Sequence, residues 1–310
     1  MSNNVIRYFL ICALCVPVVF SGCQRHNSVT TNKQQLSAAP LSAVPLIAVS
    51  ILPQEWFVSR IGGSRVQTLV LTGPGQNPHN YEPVPKQLSG LAKAGVWILS
   101  GTEFEISLRP KIEKLFPALP IVDGTAGAAF RKLDAYEYGH GHNDDHTALE
   151  IDRHTWLGSE PAKILAAHIR DTLSIIDPDG AEQYAGNYFN LVNDIDNEFL
   201  YLRQQLAPLK GSNVFVYHPS FGYFLDEFGI RQQAVETGGK TPGPRDLSRL
   251  IVLAKQEQPA AIFVQAQFPI SAAKTVANAV GAELVSLDPL APDWLANIRL
   301  MGEALKAGIR

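Results

Sequence analysis

The stretch PDGAEQYAGNYFNLVNDIDNEFLYLRQQLAPLKG, residues 178–211, separates two halves of similar pattern. Within it Tyr184, Tyr188, Leu191, Ile195, Phe199, Leu202 and Leu206 recur at steps of three and four, the spacing that lines one face of an α-helix. The stripe predicts a single helix of about 28 residues, roughly 40 Å long. Pro208 and Gly211 stop it. A continuous apolar face of this kind belongs to a core and is not a cofactor box.

Upstream, LIAVSI (46–51) is a short apolar run suited to a buried strand, and PQEWFVSRIGG follows as a helix opened by Pro53 and stopped by Gly62 and Gly63. VQTLVL, PKQLSGLAKAG, VWILS, ISLRPKIEKLF and PIVDGT then read as strand, helix, strand, helix, strand. Downstream the alternation resumes with NVFVYH, GYFLDEFG, RQQAVE, PGPRDLSRLIVLAKQEQ, AAIFVQ, ISAAKTVANAVG and ELVSLD. Such alternation predicts parallel sheets covered by helices. The expected fold is α/β: two parallel-sheet lobes, 46–177 and 212–310, joined by one long rigid helix over 178–211. A stiff connection of this kind limits how far the lobes swing. Loops at the C-terminal ends of parallel strands are where ligands bind.

The 310 residues are 46% hydrophobic and 18% charged, a globular composition long enough for two domains. The net charge of −3 and the lack of a basic run argue against nucleic acid. MSNNVIRYFLICALCVPVVFSGC opens with one cation, Arg7, and an apolar run from Tyr8 to Phe20 that is too short to span a bilayer. Residues 1–22 therefore read as a signal peptide. FSGC resembles the bacterial lipobox, which makes Cys23 the expected lipidated first residue of an exported protein, periplasmic or on the cell surface. Cys12 and Cys15 fall in the signal, so Cys23 is left with no partner for an internal disulfide. The polar, proline-containing segment 23–45 reads as a flexible tether.

The eight histidines separate by context. His26 lies in the tether, and His168 lies on a helix face as a structural or surface residue. His140, His142 and His146 fall in YEYGHGHNDDH, whose glycines suit an auxiliary loop that binds divalent metal weakly. His79 sits between Pro78 and Pro83 in NPHNYEPVPKQL, where the prolines stiffen the turn. His154 stands at a helix entrance in EIDRHTWLGSEP. His218 and Asp288 each follow a strand and precede a proline, in VYHPS and VSLDPL. Three imidazoles and one carboxylate, on loops of the two halves, would form a closed tetrahedral set for Zn²⁺, and the expected place for it is the cleft between the lobes. If Asp288 does not bind, the three histidines form an open site such as a zinc hydrolase uses, with Glu82 as the nearby base. An adhesin or metal buffer is a third reading.

These segments together resemble the metal-binding proteins of zinc and manganese ABC importers over about residues 45–310. GPGQNPHNYEPVP resembles the family's first ligand segment, giving His79; DRHTWL resembles the second, giving His154. HPSFGYFLDEFGI gives His218, and VSLDPLA gives Asp288, with Glu82 or water as the alternative fourth ligand. The residues before His154 resemble the histidine-rich loop of zinc members. Asn77, Arg153 and Gln265 depart from the usual Asp, Pro and Glu. Manganese members tend to carry Glu where this chain has His218. The resemblance therefore implies high-affinity capture of Zn²⁺, with Mn²⁺ or Fe²⁺ behind it, and no catalysis. It also implies delivery by a monomer to an importer permease and its ATPase, with a lipid at Cys23 holding the protein at the membrane.

Overall fold

The computed structural model describes residues 44–133, 151–236 and 242–308. The first half runs β1 (Leu46–Ile51), α1 (Leu52–Gly62), β2 (Gln67–Thr72), α2 (Pro85–Leu91), β3 (Val96–Leu99), α3 (Glu103–Leu115) and β4 (Ile121–Asp123). Next come α4 (Ser159–Ile176) and α5 (Ala181–Gln205). The second half runs β5 (Asn213–Val216), α6 (Gly222–Asp226), β6 (Arg231–Ala234), α7 (Pro244–Glu257), β7 (Ala261–Val264), α8 (Ser271–Val280) and β8 (Glu283–Ser286), and α9 (Trp294–Gly308) follows.

The strands form two parallel sheets ordered β2-β1-β3-β4 and β6-β5-β7-β8. These are the two parallel-sheet α/β lobes expected from the alternation. The central strands β1, β3, β5 and β7 are apolar on both faces because helices cover both sides. In each lobe the chain first moves to one side of the opening strand, then crosses to the other. That reversal leaves a crevice beyond the C-terminal ends of β1 and β5, where loops converge.

The stripe on α5 is core as expected: Tyr184, Leu191, Ile195, Phe199 and Leu202 are buried on the helix, and Leu206 just beyond it. Tyr188 is half-buried beneath the Arg170 guanidinium. The α-helix is 25 residues long, shorter than expected, because Pro178–Gly180 and Ala207–Leu209 tighten into 3₁₀ turns at its ends. The sequence reading did not anticipate α9. Trp294, at its start, lies 5.0 Å from Phe57 and 5.8 Å from Trp56, ring centre to ring centre. The Trp294 indole donates to the carbonyl of Trp156 (2.6 Å), and the Trp156 indole donates to that of Pro289 (2.8 Å). One hydrophobic cluster runs from Ile47 and Val49 through α4, α5 and α9 to Val214 and Val216. The lobes are thus joined by a shared core as well as by the long helix. Among the described residues, no helix is long and apolar enough to cross a membrane.

Candidate metal centre

Three loops bring histidines together. His79 follows β2, and the Asn77 side-chain oxygen accepts its backbone N–H (2.9 Å), an Asx turn that sets the loop before the ring is placed. His154 follows an antiparallel bridge between Lys132 and Ile151. Asp152 Oδ1 accepts both the backbone N–H of His154 (3.0 Å) and a bond from its Nδ1 (2.9 Å). Asp152 Oδ2 also lies 3.4 Å from Arg131, whose Nε donates to Asp226 of α6 (2.7 Å). His154 is thereby tied to the second lobe. His218 lies two residues beyond β5. Gln265 grips its backbone, accepting from the N–H (3.2 Å) and donating to the carbonyl (2.8 Å). Phe268 stacks on the His218 ring at 4.5 Å.

The three Nε2 atoms converge. His218 Nε2 is 2.8 Å from that of His79 and 3.3 Å from that of His154. Behind each ring a carboxylate meets Nδ1: Glu103 on His79 (3.0 Å), Asp152 on His154 (2.9 Å) and Glu236 on His218 (2.7 Å). A carboxylate accepts and cannot donate, so it selects the tautomer with the proton on Nδ1. Each Nε2 then presents a lone pair to the other two. Lone pairs this close repel unless a cation or a proton lies between them. A tetrahedral zinc ion with Zn–N bonds of 2.0–2.1 Å would hold its nitrogens about 3.4 Å apart. The trio is close to that spacing, and carboxylate-backed imidazoles are the usual environment of metal-bound histidine.

Burial and the two neighbouring imidazoles hold His218 well below its ordinary pKa, which favours the neutral form a metal needs. At His79 burial acts in the same direction, but the hydrogen bond and charge of Glu103 outweigh it and raise the value. Burial resists ionisation of Glu103, and the contact with His79 overcomes it, leaving that carboxyl below the ordinary value.

Among the described residues, the structure gathers His79, His154 and His218 into one group of potential ligands, with their donor atoms all within 4.8 Å. Asp288, expected as the fourth ligand, does not join them in this arrangement. Its Oδ1 is taken by the Gln267 amide (2.8 Å) and the Leu290 N–H (2.9 Å). Gln267 adjoins Phe268, so Asp288 is held on the loop that packs against His218. Glu82 is exposed and stands outside the group. His140, His142, His146 and Cys23 lie outside the described residues. His168 is a half-buried residue of α4 whose Nε2 meets the Ala126 carbonyl (2.8 Å). The sequence reading missed the three carboxylates. Asp152 was findable two residues before His154; Glu236 and Glu103 carried the weaker signal of an acid just beyond β6 and β3.

Known proteins resemble the chain in sequence and in fold. The family described as "Zinc-uptake complex component A periplasmic" matches residues 47–308. The high-affinity zinc uptake system protein ZnuA of Yersinia pestis is 25% identical over 289 residues, covering 86% of this chain and 91% of that protein. A crystal structure of ZnuA superposes with a TM-score of 0.79 at 29% identity, covering 86% of this chain and 99% of the other. A ZnuA deletion mutant with zinc bound gives 0.78, also at 29% identity, with 86% and 98% covered.

Proposed function

Because the chain belongs to the Zinc-uptake complex component A periplasmic family, whose members are solute-binding proteins for metal uptake and not enzymes, we propose that it captures Zn²⁺ and hands it to an ABC-type importer. The observation that carries this reading is the convergence of three Nε2 atoms, each ring backed by a carboxylate at Nδ1. Three neutral imidazoles suit Zn²⁺ better than Mn²⁺, which favours oxygen donors.

His79, His154 and His218 are the proposed ligands. Asp288 is the proposed fourth: leaving Gln267, its carboxylate would turn toward the trio and close the shell. Glu82 or water is the alternative. Cargo held this way is zinc as substrate, bound on arrival and surrendered at the permease, with the ATPase driving transport. Cys23 is proposed as the lipidated anchor of a monomeric lipoprotein, and His140, His142 and His146 as an auxiliary loop that concentrates metal.

The test is calorimetric titration of the chelator-treated protein with Zn²⁺ and with Mn²⁺, alongside His154→Ala and Asp288→Ala. We expect one Zn²⁺ equivalent of nanomolar affinity, about 12 kcal/mol of binding free energy, largely lost in His154→Ala. Equal affinity for Mn²⁺ would refute the metal assignment. An unchanged Asp288→Ala would refute Asp288 as ligand while leaving the trio standing.

A further inference from the structure

The three carboxylates behind the imidazoles are not equivalent. Asp152 is fully buried and Glu236 is 3% exposed, whereas Glu103 is 36% exposed. The rings follow the same order: His79 is 26% exposed, against 9% for His154 and for His218. The His79–Glu103 pair is therefore the side of the centre that solvent reaches. A metal ion entering or leaving exchanges ligands there first.

Glu103 needs a fixed place to hold His79, and the chain supplies one. Glu103 is the first residue of α3, directly after the turn Ser100–Thr102. That turn is clamped from inside by Glu105, whose carboxylate accepts from Ser100 N–H (2.8 Å), Ser100 Oγ (2.9 Å) and Gly101 N–H (2.7 Å). Gly101 has a φ of +85°, which glycine adopts without strain. From outside, Arg153 Nη1 donates to the Gly101 carbonyl (3.1 Å), and Arg153 Nε lies 4.0 Å from Glu103 Oε1. Arg153 immediately precedes His154 in the chain. One side chain thus spans from the segment carrying the second imidazole to the carboxylate that orients the first.

We propose that Glu103 is a positioning residue for His79, the ligand through which the metal enters and leaves, and that Arg153 couples its placement to the His154 segment. The proposal rests on the reading of the trio as a metal centre. Removing Glu103 frees His79 to rotate and to take either tautomer, so the metal escapes sooner. Carboxylates of this kind are worth 10- to 100-fold in metal affinity. Removing Asp152 or Glu236 would also leave a buried N–H without an acceptor and weaken the fold itself. At Glu103 water reaches the vacated position, so the fold is spared.

The experiment uses the full chain and Glu103→Ala, Glu103→Gln and Arg153→Ala. Three quantities are measured: the rate of Zn²⁺ loss into excess chelator, the melting temperature of the metal-free protein, and the His79 tautomer by ring ¹⁵N NMR. For Glu103→Ala we expect about 10- to 100-fold faster loss, an unchanged melting temperature and a mixed tautomer. Glu103→Gln should fall between, because its amide oxygen can still accept from Nδ1, and Arg153→Ala should move the rate the same way by less. A Glu103→Ala rate within twofold of the parent protein, or a melting temperature that falls with the affinity, would overturn the proposal. If the parent protein binds no Zn²⁺, the metal reading fails separately. The tautomer in the metal-free protein then still judges positioning: a mixture in Glu103→Ala supports it, and an unchanged Nδ1–H form overturns it.

Discussion

Gly302 on α9 faces Leu202 on α5, and a methyl group added there tests how tightly the two helices are braced. A Cβ at Gly302 would lie 2.4 Å from Leu202 Cδ2, 3.2 Å from Cδ1 and 3.3 Å from Cγ. Ordinary carbon contacts are about 3.5–4.0 Å, so the whole head of Leu202 must move. Leu202 is 1% exposed and has little room to do so. Overpacking of this kind costs about 1–3 kcal/mol. Against it stands the gain from replacing glycine within a helix, about 1 kcal/mol. The clash wins, and Gly302→Ala should be destabilising by up to about 2 kcal/mol. In a Leu202→Ala background, itself costing about 2–5 kcal/mol, the obstruction is gone. There the same change should stabilise by about 1 kcal/mol, because the helix term survives alone and the methyl fills part of the cavity. Urea unfolding of the four metal-free proteins measures this cycle directly. The sign reversal is the signature. If Gly302→Ala is equally stabilising in both backgrounds, the two helices are not packed as described, and the shared core is a weaker brace than we have argued.

Two further expectations concern charges outside the histidine trio. Glu105 caps the Ser100–Thr102 turn from within the core, and burial raises its pKa against the pull of its hydrogen bonds; Glu105→Ala strands two backbone donors and should cost about 2–4 kcal/mol in thermal or urea unfolding. Asp177 is held below its ordinary 3.8 by the hydrogen bond from Arg65, with burial opposing and Tyr184 assisting. A depressed carboxylate contributes stability that is present above its unfolded-state value and lost as pH falls through the folded-state value. Acid unfolding of the parent protein should therefore steepen below pH 3.8, and Asp177→Asn should flatten that limb; identical acid limbs would count against the ion pair.

The central strands were legible because a parallel strand covered on both faces is a mainly apolar run, as LIAV (46–49) and AIFV (261–264) are. The helix α5 was legible from its stripe alone. On α9, Trp294, Ile298, Met301 and Leu305 have the same spacing, and they went unread because the pattern of alternating strands had already closed at residue 288. His79 and His218 could be picked out by position, since strand ends and flanking prolines mark where a parallel sheet presents its loops, and His154 by its place at a helix entrance. Their carboxylates could not. Glu236 reaches His218 because β6 pairs beside β5, with Ala234 opposite Val216, and sheet register is not written in local spacing. Asp288 was read correctly as a residue at a strand end. The competing donors Gln267 and Leu290 N–H come from tertiary neighbours and from the turn that follows.

The loops that carry the proposed ligands lie far apart along the chain: His79 and His218 are separated by 139 residues, and His154 and His218 by 64. An ion held by all three would be a reversible cross-link that knots both halves of the polypeptide at one point. It would oppose unfolding by mass action, by about 4 kcal/mol when free metal exceeds the dissociation constant a thousandfold. Loaded and empty molecules would then differ in lifetime against proteases and in amide exchange far from the ion, even where their shapes are alike. Such a molecule would report its cargo through its resistance to opening.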